Sequence, residues 1–264
     1  MTARLHLVDQ RTEAMPVILE VSALSKRFST NGIAPVGVLQ DICFSVRRGE
    51  MICFLGRSGC GKSTLLKILA GFIRSSSGAV QLNGRPVGRP GPDRCVVFQE
   101  DALFPWLTVK ENIAFGLKGR KLSRRVRDRE VDRFIGLVGL DGFADYLPQA
   151  ISGGMKQRVS LARVLILQPE VLLMDEPFAA LDAQTREEMQ NLLLDLWKKF
   201  SYTVLFVTHD VNEAVLLADR IILMDKNPGR IREDISIDLP RPRHKGSERY
   251  FERCRAMMTK VNQV

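Results

Sequence analysis

The chain has 264 residues, 45% of them hydrophobic, which is enough for one large domain or two small ones with an apolar core. Its five cysteines form no C-x-x-C pair and lie mostly in apolar runs, so we expect reduced thiols of the kind found in the cytosol. The net charge of +9 admits nucleic acid, lipid headgroups or nucleotides as partners, while the lack of any apolar run of 18 residues excludes a transmembrane helix.

The first part of the chain predicts strands around an apolar run that ends in a glycine-rich segment. Residues 1–16 are interpreted as an N-terminal extension. The strand-like runs lie at residues 17–21, 24–28, 38–46 and 51–55. A helix is predicted at residues 61–72, because its large apolar residues recur on one face.

The segment GRSGCGKST at residues 56–64 fits the phosphate-binding pattern G-x-x-x-x-G-K-[ST] and lies between a predicted strand and a predicted helix, as the pattern requires. Its glycines let consecutive backbone N–H groups point at one anion, and the helix adds its positive end. Lys62 can reach the β- and γ-phosphates, and the Ser63 hydroxyl can ligate Mg²⁺. The segment therefore predicts binding of a nucleoside triphosphate. The predicted contact residues are Gly56, Arg57, Ser58, Gly59, Cys60, Gly61, Lys62, Ser63 and Thr64.

The middle of the chain changes from strand to helix character. Short strands are predicted at residues 79–82 and 95–98, and helical periodicity dominates from about residue 100 to residue 167. The helices of this stretch are predicted at residues 108–117, 125–139 and 152–167. A basic cluster at residues 120–129 contains no aromatic residue, so it does not support a stacking platform for single-stranded nucleic acid, and a solvated face is favoured.

Strand character returns after residue 170 and alternates with helices, which is typical of a parallel sheet. The strands are predicted at residues 171–174, 203–207, 220–224 and 231–239. The helices are predicted at residues 182–200, 212–219 and 247–260. The whole order of elements predicts an α/β core that holds the phosphate-binding loop, with a helical insertion.

Two carboxylates follow the apolar strand at residues 171–174, where the chain reads VLLMDE. Ligands bind at the carboxyl ends of strands in open α/β sheets, so Asp175 is placed to hold Mg²⁺, directly or through water. Glu176 points the other way along the strand and is a candidate general base for an attacking water. A solvated acidic turn is the alternative interpretation, and the upstream phosphate-binding loop favours the functional one.

Residues 151–158 read ISGGMKQR, which resembles the signature motif of ABC-type ATPases and precedes the two carboxylates as in that family. The resemblance runs from about residue 17 to residue 239 and follows the family's order of motifs. It implies a P-loop NTPase core of the ABC ATPase type with an N-terminal antiparallel β-subdomain and an inserted α-helical subdomain. The implied parts are the ABC ATPase domain at residues 17–240, its helical subdomain at about residues 100–167, and a basic C-terminal tail with a helix at residues 241–264.

The resemblance also implies roles for single residues. Phe28 is similar to the aromatic residue that stacks on adenine, with a core phenylalanine as the alternative interpretation. Gln99 resembles the Q-loop glutamine, which reaches the Mg²⁺ and the attacking water and senses a partner subunit. His209 follows a predicted strand and resembles the switch histidine that contacts the γ-phosphate. The implied catalytic residues are Glu176, His209 and Gln99, and the implied Mg²⁺ ligands are Ser63, Gln99 and Asp175.

The Ser-Gly-Gly core of the signature motif is predicted to open a helix, where a hydroxyl and backbone N–H groups make a second anion site. Its residues are Ser152, Gly153 and Gly154. In the family this site binds the γ-phosphate held by the other protomer, so the resemblance implies a head-to-tail dimer with two ATP molecules between the subunits. Asp182 resembles the D-loop aspartate that couples the two sites, and it also stands where a helix N-cap would.

Residues 103–107, just past Gln99, include two leucines, a phenylalanine and a tryptophan. They suit a groove that receives a coupling helix from a membrane subunit, with local packing of the helical subdomain as the alternative. Three segments, at residues 98–117, 174–190 and 227–231 (NPGRI), resemble the ATPases of nitrate, sulfonate, taurine and bicarbonate importers. This resemblance implies permease subunits as partners, a periplasmic or extracellular solute-binding protein as an indirect partner, and a location on the cytoplasmic face of the cell membrane.

Three classes of function are open to such a chain. The leading hypothesis is an ATP-hydrolysing subunit, with ATP and Mg²⁺, of an importer for a small anion such as a sulfonate, taurine or nitrate; it expects no nucleic acid partner. The alternative is a soluble ABC-type nucleotide switch acting on nucleic acid, supported only by the net charge of +9. A non-hydrolysing ATP-binding scaffold is the third, and Glu176 and His209 argue against it. The basic tail is interpreted as a solvated face or as lying near lipid headgroups.

Overall fold

The computed structural model describes residues 15–30, 33–99 and 102–263, so most of the extension predicted at residues 1–16 lies outside the described residues. The chain divides into two compact units. The first combines Met1–Gly91 with Phe200–Val264, and the second is Pro92–Lys199. Both units contain strands and helices, which agrees with the predicted α/β class.

In chain order, the strands are β1 (Val17–Thr30), β2 (Ile33–Arg47), β3 (Met51–Leu55), β4 (Ser77–Leu82), β5 (Arg85–Pro86), β6 (Arg94–Val97), β7 (Val171–Asp175), β8 (Thr203–Thr208), β9 (Arg220–Asp225) and β10 (Arg230–Ser236). The helices are α1 (Lys62–Leu69), α2 (Val109–Phe115), α3 (Arg124–Leu137), α4 (Gly153–Leu165), α5 (Ala183–Phe200), α6 (Val211–Leu217) and α7 (Glu248–Asn262), with a 3₁₀ helix at Pro148–Ala150. Within the described residues, no helix is both long enough and apolar enough to cross a membrane.

The first unit contains the predicted antiparallel sheet, in the order β2-β1-β4-β5. The two strands predicted at residues 17–21 and 24–28 are one continuous strand, β1, with an irregularity between them. There Ala23 has a φ of 48° and the pairing register with β2 shifts. Gly78 of β4 packs on this irregularity, since a Cβ at Gly78 would lie 2.3 Å from the Ala23 carbonyl oxygen.

The first unit also contains a mostly parallel sheet, in which β3 lies between β8 and β9, and β10 pairs antiparallel with β9. Every residue of β3 and β8 is buried, which is the pattern of strands covered on both faces. Helix α6 packs against β3, and α7 packs against α6. This sheet positions the phosphate-binding loop, because the loop begins where β3 ends.

The second unit joins a parallel pair of strands to a helical bundle. Strands β6 and β7 pair from Arg94 opposite Val171 to Val97 opposite Met174. Helix α2 packs against both α3 and α4, within the range of residues 100–167 that was predicted to be helical. A capping box at Thr108 and Glu111 fixes the start of α2.

Helix α1 ends at Leu69, although apolar periodicity predicts a helix up to residue 72. The reason is Gly71, which has a φ of 81° and on which a Cβ would lie 2.4 Å from the Gly88 carbonyl oxygen. A left-handed residue at such close backbone approach is a common way to end a helix. The periodicity was correct for the apolar face and wrong for the end of the helix.

Candidate functional site

The phosphate-binding loop connects β3 to α1. Gly61 is the N-cap of α1, and its φ of 93° is a left-handed value that favours glycine. At Gly56 a Cβ would lie 2.7 Å from the Met224 carbonyl oxygen, so the loop can pass β9 only without a side chain there. No acidic residue occupies the first turn of α1, which leaves the positive end of the helix uncompensated within that turn.

The Lys62 ammonium group is enclosed by this loop. Lys62 is 5% exposed, and its Nζ donates to the carbonyl oxygens of Gly56 at 2.7 Å and Arg57 at 3.1 Å. The Cys60 sulfur lies 3.8 Å from the same nitrogen. A buried cation at the positive end of a helix makes this loop a strong anion site.

The turn between β9 and β10, which contains Gly229, packs against the phosphate-binding loop. Gly229 donates its N–H to the Val38 carbonyl oxygen at 2.9 Å and accepts the Gln40 N–H at 2.9 Å. A Cβ at Gly229 would lie 2.1 Å from the Cys60 carbonyl oxygen. The backbone of the NPGRI segment therefore lies directly against the backbone of the phosphate-binding loop.

Phe28 lies on β1 and is 43% exposed, so it is not a core residue. The Lys26 ammonium group lies 4.7 Å from the centre of its ring. A cation over one ring face is a favourable contact, and the exposed aromatic surface suits stacking of a base. The adenine contact of Phe28 stays a prediction.

His209 follows directly after β8 and is exposed. Leu55 of β3 is registered opposite Thr208 of β8, and these two strands are parallel. The residue after each strand, Gly56 and His209, therefore lies at the same edge of the sheet. The structure brings the predicted switch histidine to the side of the sheet where the phosphate-binding loop begins.

In the second unit, the predicted acids and glutamine follow the ends of β6 and β7. Asp175 is the last residue of β7, and Val97 is registered opposite Met174, so Gln99 and Asp175 leave the strand pair at the same edge. Glu176 has a φ of 46°, a value that is strained for a residue with a side chain and is often found at functional sites. The Gln99 carbonyl oxygen accepts a bond at 3.1 Å from Gln157 of α4.

The signature segment and the predicted D-loop meet at the N-termini of α4 and α5. Ser152 caps α4, its Oγ accepting the Met155 N–H at 3.3 Å. A Cβ at Gly154 would lie 2.4 Å from the Thr185 Cγ2 atom. Thr185 donates its N–H and its hydroxyl to the Asp182 carboxylate at 3.0 and 2.6 Å. Because Asp182 directly precedes α5 and accepts the Thr185 N–H, it has the predicted N-cap geometry. The bonds from Thr185, the hydroxyl first, also lower the pKa of Asp182.

The ABC transporter family matches the chain over residues 39–179, more than half of its length. The chain belongs to the ABC transporter family. An uncharacterized ABC transporter ATP-binding protein of Methanocaldococcus jannaschii is 48% identical over 92% of this chain and 91% of its own. The taurine import ATP-binding protein of Pelagibacter ubique is 47% identical over 81% of both chains. The nitrate import ATP-binding protein of Synechococcus elongatus is 46% identical over 86% of this chain and 84% of its own.

Solved structures of ABC proteins share the fold. The protein cbiO1 of Clostridium perfringens, part of an ABC transporter complex, has a TM-score of 0.76 and 28% identity, covering 94% of this chain and 95% of its own. A dimeric ATP-binding cassette in a post-hydrolysis state with ADP and Pi has a TM-score of 0.73 and 27% identity, covering 84% of this chain and 100% of its own. The predicted P-loop NTPase core of the ABC type is confirmed, and this chain is an ATP-binding ATPase of that family.

The aromatic residues past Gln99 form a surface cluster in this ABC ATPase. Phe104 packs against Trp106 and Phe115 with ring centres 5.6 and 4.4 Å apart, and the Arg163 guanidinium lies 5.5 Å from its ring. Trp106 is 72% exposed. The buried side chain of Asn112 fixes the segment by accepting the Phe104 N–H at 2.9 Å. Local packing therefore accounts for Phe104 but not for the exposed tryptophan.

Sequence reasoning missed three residues that contact the predicted site segments, one in the first unit and two in the second. Gly229 was noted only as part of a subfamily motif, Gln157 lay unremarked in the signature helix, and Thr185 was one polar residue in a helix. Of the three, only Gly229 stands in a recognisable sequence pattern. Asn-Pro-Gly is typical of a turn, and a glycine in a turn often allows another backbone segment to approach closely. The roles of Gln157 and Thr185 depend on tertiary contacts that no local pattern encodes.

Proposed function

We propose that this ABC ATPase energises the uptake of a small anion, of the sulfonate, taurine or nitrate kind, through partner membrane subunits. The observation that carries the energising role is the buried Lys62 ammonium group in the phosphate-binding loop. The solute class is supported by relatives that are named for taurine and nitrate import, at 47% and 46% identity. The solute itself is selected by the partner subunits, and this chain supplies the energy of ATP.

The proposed nucleotide contacts divide between two copies of the chain. Residues 56–64 hold the triphosphate of one ATP, with Phe28 on the adenine. The Ser-Gly-Gly segment of a second copy closes on the γ-phosphate, in a head-to-tail dimer with two ATP molecules. Support comes from the capped N-terminus of α4 at Ser152 and from the dimeric structure of a similar cassette.

The proposed metal is Mg²⁺, with Ser63, Gln99 and Asp175 as its ligands. A hydroxyl, an amide and a carboxylate are oxygen donors, the type that Mg²⁺ prefers in nucleotide sites. When bound, Mg²⁺ neutralises charge on the phosphate oxygens. The chain places each of these oxygen donors at the end of an element. Asp175 is the last residue of β7, Gln99 follows β6, and Ser63 lies in the first turn of α1.

The proposed chemistry is attack of water on the γ-phosphate. Glu176 acts as the general base that polarises the water, and its φ of 46° is a strained value of the kind often found at functional sites. His209 contacts the γ-phosphate as a hydrogen-bond donor, and Gln99 orients the water and links the site to the partner subunit. Asp182 couples the two sites of the dimer through the start of α5.

The proposed docking surface for the permease is the segment of residues 103–107 together with the Q-loop. Trp106 offers a large apolar side chain, 72% exposed, on a segment fixed by Asn112. Such a surface suits an amphipathic helix from a membrane subunit. The chain would then sit at the cytoplasmic face of the membrane, with the solute-binding protein as an indirect partner on the opposite side.

Uptake measured in proteoliposomes tests this proposal directly. The chain is co-expressed with candidate permease subunits, and labelled taurine and nitrate are supplied with a matching solute-binding protein. We expect ATP-dependent uptake that falls at least about a hundredfold with Glu176→Gln, and loss of co-purification with Trp106→Ala. Turnover stimulated by DNA or RNA, weakened by salt, with no stable membrane partner, would instead support the nucleic-acid switch.

A further inference from the structure

His209 directly precedes Asp210, which is the N-cap of helix α6. The Thr208 hydroxyl accepts the Asp210 N–H at 3.0 Å. Asp210 in turn caps α6, its Oδ1 accepting the N–H groups of Asn212 at 2.7 Å and Glu213 at 3.3 Å. Both chain neighbours of His209 are thus held by hydrogen bonds, and the backbone of His209 follows the position of α6.

The C-terminal end of α6 is held by two arginines of the segment predicted as a basic tail. A helix this short leaves most of its carbonyl groups without partners inside the helix. The Arg243 side chain is buried and donates to five carbonyl oxygens. These belong to Val215, Leu216, Ala218, Ile237 and Leu239. Arg241 donates to the carbonyl oxygen of Leu217 and pairs with Asp219.

These contacts correct the interpretation of the tail as a solvated or lipid-facing region, at least at its beginning. Arg243 is 9% exposed and its guanidinium lies among backbone oxygens, so it is not available to a lipid headgroup. Cations at the C-terminal end of a helix also complement its dipole. Arg241 and Arg243 therefore stabilise the first unit by binding carbonyl oxygens at the end of α6.

The N-terminal end of α6 is held by Tyr250, from α7. Tyr250 is 3% exposed, and its hydroxyl donates to the Asn212 carbonyl oxygen at 2.8 Å. Asn212 lies in the first turn of α6. Burial raises the pKa of Tyr250, so the hydroxyl keeps its proton and remains a donor.

We propose that residues 241–250 position His209 for ATP hydrolysis by fixing both ends of α6. Arg243 and Tyr250 are positioning residues, which act through the helix that follows His209. The inference rests on the proposed contact of His209 with the γ-phosphate. It requires that these residues affect turnover and leave nucleotide binding intact, because the contacts around Lys62 come from other segments of the unit.

Tyr250→Phe in the full-length chain is the main test, since it removes one hydroxyl and keeps the ring. We expect kcat to fall roughly three- to tenfold while KM for ATP and the affinity for a fluorescent ATP analogue stay unchanged. Arg243→Lys, which keeps the charge but loses the planar fork, is expected to act in the same direction. Tyr146→Phe makes the same chemical change at a half-exposed tyrosine of the other unit, and it is the matched control.

A double-mutant cycle decides whether Tyr250 acts through His209. The residual rates of His209→Ala, with and without Tyr250→Phe, are measured by single-turnover hydrolysis with enzyme in excess. The proposal predicts that Tyr250→Phe has no further effect once His209 is gone. An equal fold-change in both backgrounds, or an unchanged kcat for Tyr250→Phe alone, would overturn it.

The same data separate this inference from the proposed function. If His209→Ala hydrolyses ATP at the normal rate, the proposed role of His209 is wrong, whatever Tyr250→Phe does. If His209→Ala hydrolyses ATP much more slowly than the wild type and Tyr250→Phe behaves as the Tyr146→Phe control does, only the inference about the C-terminal segment is wrong. Thermal unfolding of each variant, with assays run well below the midpoint, ensures that the rates describe folded protein.

Discussion

At the scale of single residues, the phosphate-binding loop depends on glycines that are required for different reasons. Gly61 supplies a left-handed backbone at the start of α1, whereas Gly56 and Gly229 allow backbones to approach each other closely. The Lys62 ammonium group is positioned by carbonyl oxygens of the same loop. Small backbone shifts here move the charged group that should meet the phosphates.

Gly229→Ala tests whether the turn between β9 and β10 sets the shape of the loop. The new methyl group would lie 2.1 Å from the Cys60 carbonyl oxygen, so a backbone must move. Overpacking of this kind costs about 1–3 kcal/mol, and we expect ATP affinity to weaken by about tenfold. The measurement is titration with a fluorescent ATP analogue.

Gly88→Ala is the matched control for this prediction, because a Cβ there would have no heavy atom within 4 Å. We expect wild-type affinity from that variant. Equal affinities for Gly229→Ala and the wild type would show that the close contact does not control the loop.

The sequence predicted residues whose role is local far better than those whose role is tertiary. The loop at residues 56–64 carries its own pattern, because the chemistry requires those residue types in consecutive positions. Arg243 carries no such signal: three of its five partners are backbone carbonyls 25–28 positions earlier, which any residue type would provide. Because the sequence does not show these carbonyl partners, Arg243, which follows a proline, was interpreted as part of a basic tail.

At the scale of elements, the N-termini of α4 and α5 are linked through one threonine. Thr185 bonds Asp182 while its methyl group lies against Gly154. A shift of either the signature segment or the D-loop within the second unit would therefore disturb this contact.

Gly154→Ala tests the link between the two motifs. The added methyl would lie 2.4 Å from the Thr185 Cγ2 atom, and rotating Thr185 away would break its bond to Asp182. We expect a loss of about 1–3 kcal/mol in the free energy of unfolding, measured by denaturant titration.

Two further variants make the test of Gly154 specific. Adding Thr185→Ser to Gly154→Ala removes the clashing methyl but keeps the hydroxyl, and it should restore most of the stability. Gly153→Ala has no heavy atom within 4 Å of its new Cβ and should be close to neutral. If Gly153→Ala and Gly154→Ala lowered the free energy of unfolding equally, the loss would come from the backbone at the start of α4 and not from the contact with Thr185.

Periodicity in the sequence predicted which segments are strands and which are helices. Where these elements end depends on tertiary contacts. The apolar runs at residues 171–174 and 203–207 were predicted as buried strands of a parallel sheet, and every residue of both runs is buried, in β7 and β8. The two runs predicted at residues 17–21 and 24–28 are joined in β1 through an irregularity at Ala23, and pairing continues on both sides because β2 and β4 pair with the strand. Local sequence reported the irregularity but not the neighbouring strands that bridge it.

At the scale of the whole molecule, every chain carries two anion-binding segments. In the proposed function, each ATP contacts the first segment of one copy and the second segment of the other copy. The phosphate-binding loop belongs to the first unit and the Ser152-capped segment to the second. Membership of the ABC transporter family establishes ATP binding and hydrolysis, and the division of one ATP between two copies remains a proposal. It makes dimer formation a direct consequence of ATP binding.

Light scattering of the Glu176→Gln variant with MgATP tests this central claim most directly. Loss of the general base should leave ATP bound and uncleaved, so the account predicts that the mass doubles with ATP and stays that of one chain with ADP. Adding Ser152→Glu should prevent doubling, because a carboxylate would face the γ-phosphate. A variant that binds ATP at saturation yet keeps the mass of a single chain would contradict the account.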